Sequence, residues 1–153
     1  MVKKGGFCMF LGSYEPNLIS KGRLALPKKI RSELPGERLV LTLGFEKCIY
    51  GFAEKEWEKI VAPELARPLF SDAEGRDLRR QMCMEAMVVE LGSQGRLVMP
   101  EVMVKYAGAE KQVVIVGAGD HFEIWEKRNW EKYRNEKLSR TGVAQRSNRE
   151  FAG

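Results

Sequence analysis

The chain has 153 residues, 44% of them apolar and 31% charged, which is the composition of a folded domain with one ordinary core. No apolar run approaches bilayer-spanning length, and Met1–Gly6 lacks the apolar stretch of a signal peptide, so a membrane anchor and a secretory route are not expected. The three cysteines, Cys8, Cys48 and Cys83, are odd in number and widely spaced, which argues against a disulfide framework or zinc ribbon and for a reducing cytoplasm.

Residues 1–8 read as a flexible extension. Tyr14–Ser20 is extended and meets a tight turn at Lys21-Gly22, where glycine takes a positive φ without a Cβ clash. The chain returns as Arg23–Leu26, which predicts a β-hairpin. Pro27 suits the first position of a short helix over Lys28–Leu34, stopped by Pro35-Gly36. The β-rich runs Leu39–Leu43 and Cys48–Phe52 follow, then an amphipathic helix, Glu54–Val61, anchored by Trp57. Pro63 and Pro68 break the next stretch. Ser71-x-x-Glu74 then forms a capping box that predicts a helix of roughly four turns, with Leu78 and Met82 on its buried stripe. Arg76, Arg79 and Arg80 fall on its exposed part.

The same grammar then recurs. Val88–Ser93, a turn at Gln94-Gly95 and Arg96–Met99 predict a second hairpin, and Pro100 opens a helix over Glu101–Ala107 that Gly108 stops. Val113–Val116 and Phe122–Trp125 are strand-like, and Lys127–Leu138 is a closing helix anchored by Trp130. Residues 18–60 align without a gap on residues 91–133, with 12 of 43 positions identical, including Ser-x-Gly-Arg-Leu-x-x-Pro and Trp-Glu-Lys. Each copy is too small to bury much alone, so the two should share one core. The predicted fold is mainly β with short helices (α+β), in two pseudo-symmetric hairpin–helix–strand units. The first unit spans 9–61 and the second 88–138, joined by a helical segment over 62–87 and followed by a flexible basic tail over 139–153.

The net charge of +5 is unevenly placed. Glu126–Gly153 carries eight Lys/Arg against four Glu, while Asn17–Arg31 holds Lys21, Arg23, Lys28, Lys29 and Arg31 with no acid. Such gathering marks either a polyanion partner or a solvated basic face. Arg23 and Arg96 at the turns are either exposed turn residues or contacts to phosphate and guanine, for which guanidinium offers a planar fork of donors. Lys21, Lys28, Lys29 and Arg31 would add sequence-independent attraction, and the amide of Gln94 could read an adenine edge. Cys48 and His121 occupy equivalent repeat positions but are too few to hold a metal. Gly117-Ala118-Gly119-Asp120 precedes a strand, so it reads as a hairpin turn and not as a dinucleotide loop. His121 is the only histidine and no nucleophile has an evident base, so neither catalysis, a cofactor, a metal nor a small-molecule ligand is expected.

Met9-Phe10-Leu11-Gly12 with Ser20-Lys21-Gly22-Arg23-Leu24-x-x-Pro27 resembles the opening of the MraZ family of bacterial transcriptional regulators. The second half adds Gln94-Gly95-Arg96-Leu97-x-x-Pro100, Tyr106-Ala107-Gly108 and Val116-Gly117-x-Gly119-Asp120-x-Phe122-Glu123-Ile124-Trp125, so the resemblance covers about Met9–Tyr133. It implies an AbrB/SpoVT-like fold, a small β-barrel of paired hairpins and short helices duplicated within the chain, with a ring-shaped homo-oligomer in the cytoplasm and nucleoid association. It also implies binding to short tandem DNA repeats upstream of the protein's own gene, at the head of the division and cell-wall cluster. Arg23 and Arg96, with Lys21, Gln94, Lys28, Lys29 and Arg31, are the DNA-binding residues so expected. One departure stands out: the family's Asp, four residues ahead of each Arg, is Ile19 in one copy and Gly92 in the other. An oligomeric scaffold that has lost specific DNA binding is therefore the alternative.

Overall fold

The computed structural model describes residues 9–138, so the expected extension 1–8 and tail 139–153 lie outside the described residues. The first half contains β1 (Ser13–Tyr14), β2 (Arg23–Ala25), α1 (Lys28–Arg31), β3 (Arg38–Leu43), β4 (Ile49–Phe52) and α2 (Glu54–Leu65). After α3 (Ala73–Cys83) come β5 (Met87–Glu90), β6 (Arg96–Val98), α4 (Glu101–Ala107), β7 (Val113–Gly117), β8 (Phe122–Glu126) and α5 (Lys127–Tyr133). A π-helical turn, Arg134–Leu138, prolongs α5. The fold is mainly antiparallel β with short helices, as the sequence predicts.

The two halves are interlaced. Six strands form one sheet in the order β1-β7-β8-β4-β3-β5, and β2 and β6 form a separate two-stranded ribbon. The predicted hairpins are therefore corrected. Each turn is closed locally by its own flanks, with Ile19 and Arg23 exchanging backbone bonds of 2.7 and 3.2 Å and Gly92 donating to Arg96 at 2.8 Å. Beyond that, the arms separate: β1 pairs with β7 of the second half, β5 pairs with β3 of the first, and β2 and β6 pair with each other. A hairpin and a cross-pairing impose the same alternation of side chains, so periodicity alone does not distinguish them.

Leu24 lies opposite Leu97 and Tyr50 opposite Glu123, and both pairs are 73 residues apart. A local two-fold axis therefore passes through both pairings. The gap-free sequence alignment slips by one residue in between. Val40 faces Phe52 where Val114 faces Trp125, so β3 and β7 superpose at an offset of 74. The alternation turns Leu24 and Leu97 inward, where they join Ile30, Leu41, Met103, Ile115, Phe122 and others in one core cluster supplied by both halves. Each such side chain contributes about 1.5–3 kcal/mol by burial. β3 is buried along nearly its whole length, because α2 and α3 pack against it as well as the core. On it, Thr42 is buried and donates its hydroxyl to the Met82 carbonyl of α3 at 2.7 Å.

Several helix boundaries differ from the sequence expectation. α1 stops at Arg31, and the bonds from Glu33 to Ile30 and Leu34 to Arg31 are of the tighter i→i−3 kind. Pro35 can donate no N–H and disfavours a helical Leu34, which ends the helix early. α2 continues through Pro63 instead of breaking there. Lys59, whose carbonyl loses its partner, and Pro63 are both exposed, and only two helical residues remain. The α3 cap is Asp72, not Ser71: its carboxylate accepts from Gly75 N at 2.8 Å and also from Arg67 Nε at 2.7 Å. α3 has 11 residues, and Leu78 and Met82 are only half-buried. Arg76 and Arg79 are not free on its surface. Arg79 donates to the carbonyls of Leu65 and Arg67, and Arg76 to those of Leu69 and Phe70, so they hold the end of α2 and the connecting loop.

Candidate functional site

Both turns are built alike. Lys21 and Gly22 have φ of 65° and 75°, and Gln94 and Gly95 have φ of 59° and 70°, so two successive left-handed residues reverse the chain in each copy. Glycine is required at Gly22, where a Cβ would lie 2.5 Å from the Met99 carbonyl oxygen. Lys21 and Gln94 accept the strained region with their side chains exposed.

The turns feed the β2–β6 ribbon. Leu24 and Leu97 are buried, so Arg23 and Ala25 on one strand and Arg96 and Val98 on the other are exposed on the opposite face. Arg23 lies opposite Val98 and Ala25 opposite Arg96, which sets the two arginines at diagonal corners of one outer face. Strand geometry puts their Cα atoms about 8 Å apart. Among the described residues neither guanidinium has an ion-pair partner, and Lys21, Lys28 and Lys29 are likewise exposed without a carboxylate. Arg31 is half-buried and pairs with Glu37 at 3.5 Å.

Ile19 and Gly92, the positions at which the resemblance leads one to expect an Asp, adjoin these arginines. Ile19 is 62% exposed and bonded through its backbone to Arg23. Gly92 has an ordinary extended backbone, and a Cβ on it would lie 3.9 Å from the Arg96 Cβ. A carboxylate would fit in either place beside its arginine; here neither arginine has one.

The fold also rearranges the cations that the sequence groups with the first turn. Leu26 N donates to Gly95 O at 3.1 Å and Met99 N to Gly22 O at 2.8 Å, so each helix begins against the turn of the other half. Arg31 of α1 consequently lies over Gly95, and Val104 of α4 lies over Gly22. Arg31, which the sequence groups with Lys21 and Arg23, thus meets the second turn at Gly95, with Lys28 one helical turn before it on α1, and no local sequence signal shows it.

The remaining candidates do not assemble a reaction centre. Among the described residues no three His, Cys, Asp or Glu side chains are arranged to hold a metal ion. Cys48 is buried, and burial foremost, with the charges of Glu123 and Glu46 behind it, pushes its thiol well up. His121 is largely buried, with its side chain 19% exposed. It stacks on Phe52 with ring centroids 5.4 Å apart and meets Tyr50 edge-on, and its two ring nitrogens face Asp120 and Glu123 at 2.9 Å each. Burial alone would lower its proton affinity, but the two carboxylates outweigh burial and hold it above the ordinary 6.5. Gly117–Asp120 forms the β7–β8 turn, with Ala118 N donating to His121 O at 2.9 Å. A cleft of about 930 Å³ between α5 and the start of β7 carries both signs of charge, and its Glu126 is already occupied in capping α5. Among the described residues no helix is long and apolar enough to cross a membrane.

Comparison of the sequence with known proteins finds relatives over most of the chain. A family model described as "MraZ protein, putative antitoxin-like" matches residues 9–80 and again 82–151. The chain is 41% identical over 128 residues to the Transcriptional regulator MraZ of Lactobacillus delbrueckii subsp. bulgaricus, covering 84% of this chain and 88% of that protein. It is 35% identical over 139 residues to the protein of the same name from Acetivibrio thermocellus, covering 90% and 96%. For that of Paenarthrobacter aurescens the identity is 42% over 129 residues, covering 84% and 89%.

Proposed function

This chain belongs to the MraZ family, and from that premise we propose that it is a DNA-binding transcriptional regulator, not an enzyme. The observation that carries the reading is the ribbon. Two strands related by a local two-fold axis present Arg23 and Arg96 outward, with no acidic partner among the described residues. An antiparallel ribbon of this width fits a major groove about 12 Å wide, where arginine recognises guanine bidentately. Lys21, Lys28, Lys29 and Arg31 would neutralise phosphates, and Gln94 would contact an adenine edge.

We further infer the finer assignments that the family resemblance supports. The protein binds short tandem repeats upstream of its own gene, at the head of the division and cell-wall cluster. It acts in the cytoplasm, on the nucleoid, as a ring-shaped homo-oligomer. One ribbon offers little contact area, so several copies on adjacent repeats would gain affinity through effective concentration. Gel-shift titration against the DNA upstream of the gene, with scrambled DNA as control, is the direct test. Preference for the native sequence is expected, and the Arg23→Ala, Arg96→Ala double variant should lose it. Equal binding to both DNAs at moderate salt would sink the reading.

The missing Asp favours one competing reading, that of a scaffold that oligomerises without specific DNA binding. Ile19→Asp with Gly92→Asp separates the two. Recovery of specific binding in this variant, from a wild type that has none, would support the scaffold reading.

A further inference from the structure

The sequence assigns its densest run of cations to the first turn, yet the fold lays one of them, Arg31, over the second. Arg31 lies so closely over Gly95 that a Cβ there would sit 2.6 Å from its Cδ and 3.0 Å from its Nε. Lys28 is one helical turn before Arg31, on the same face of α1, and is exposed without a carboxylate partner among the described residues. Across the axis the corresponding residues are Val104, 3.3 Å from a Cβ built on Gly22, and Glu101, which Lys105 neutralises at 3.2 Å.

The two turns therefore differ in the opposite sense to their sequences. Lys21 and Arg23 face a helix that adds an apolar side chain and a neutral ion pair. The turn that leads into Arg96 meets α1, whose Arg31 lies over Gly95 and whose Lys28 and Lys29 are exposed. Glu37 takes up part of the Arg31 charge from 3.5 Å, on the exposed side.

We propose that the second turn and α1 form one composite phosphate-binding site on DNA, built from Arg96, Lys28 and Arg31 across the local two-fold axis. This site is the principal electrostatic anchor of the chain, ahead of the lysine-bearing first turn. The proposal rests on the DNA-binding reading above. Its chemistry is that of a fork and a point charge together: Arg96 and Arg31 present planar donor pairs, Arg31 held in place by its contact with the Gly95 turn, and Lys28 adds a mobile ammonium. The glycines keep this approach possible, since no side chain intrudes between α1 and the turn.

The consequence is a coupling that sequence proximity would assign wrongly. Lys28 works with Arg96, distant along the chain, and not with its near neighbour Arg23. A double-mutant cycle tests this, with full-length protein titrated by fluorescence anisotropy against the upstream duplex and a scrambled duplex over a series of salt concentrations. Thermal unfolding of each variant checks that it is folded. Lys28→Ala and Arg96→Ala should each weaken binding to both duplexes, and their combined loss should fall short of the product by at least about threefold. Lys28→Ala with Arg23→Ala should multiply within about twofold. Lys28→Ala alone should reduce the slope of log affinity on log salt by about one. Arg31→Gln should couple to Arg96→Ala in the same sense, and it supplies a second, independent cycle. Coupling of Lys28 to Arg23 in place of Arg96, or independence from both, would overturn the composite site while leaving DNA binding intact. Failure of the wild type to bind either duplex would overturn the site and the DNA-binding reading together.

Discussion

At the scale of single residues, the turn glycines are alike in sequence but unequal in space. Gly22 abuts the carbonyl of Met99, whereas Gly95 abuts the flexible side chain of Arg31. Both take a left-handed φ, which costs an L-residue about 1–2 kcal/mol. Gly95→Ala should therefore destabilise by about 1–2 kcal/mol, and Gly22→Ala by about 3 kcal/mol, because a backbone must move as well. Urea unfolding distinguishes them, and equal losses would show that the Met99 carbonyl relaxes freely. His121 makes a prediction about pH. Its folded proton affinity is raised above 6.5 by Glu123 and Asp120 against the opposing effect of burial. The stability it contributes is complete below that value and is lost as pH rises through the folded one. Unfolding free energy of the wild type should thus fall, relative to His121→Gln, as pH rises past 6.5. Parallel pH profiles would mean the imidazolium contributes nothing. The left-handed turns were readable from the sequence because a positive φ is a local requirement, whereas the close approaches of Met99 and Arg31 to the glycines were not. The seat of His121 was not, because Phe52 and Tyr50 reach it only through the β4–β8 pairing.

At the scale of elements, sequence signals placed most strands and helices and misjudged how some of them end. Pro35 ended α1 a turn early, since its effect runs backward along the helix, and Pro63 ended nothing, since it falls in the solvated last turns of α2. α3 shows how an element that is weak on its own is tied down. Gly75 is its only buried residue, and its hold on the sheet includes the Thr42 hydroxyl donated to Met82. Thr42→Val keeps the shape and removes the donor, which should cost about 1–2 kcal/mol in chemical denaturation. Hydrogen exchange should quicken in α3 while the β7–β8 hairpin keeps its protection. Unchanged exchange in α3 would show that the hydroxyl is not a significant tether. A threonine within a β-rich run reads from sequence as an ordinary strand residue, and only the packing of α3 on β3 gives it a partner.

At the scale of the whole molecule, interlacing makes the two repeats one cooperative unit. Residues 9–61 alone would lose the partner of β1, the partner of β2 and the strand that covers β3. Fragments 9–80 and 81–138 should each lack fixed tertiary structure when dilute and recover it on mixing. Near-ultraviolet circular dichroism and size-exclusion chromatography would show this, and an independently folded monomeric fragment would contradict the interlaced core. The sequence by itself determined the duplication, the mainly β class with short helices, the two left-handed turns and the exposed arginines that follow them. These depend on short-range chemistry: alternation with period two, glycine at positive φ, and proline at a helix start. Only the tertiary structure decided which arms pair, and hence that Arg31 of α1 stands over the second turn. Pairing across the two-fold axis buries the same apolar faces as two separate hairpins would, so the pattern of residues is silent between them. The charge around each turn is then set by its neighbour in space, not by its neighbour in the chain.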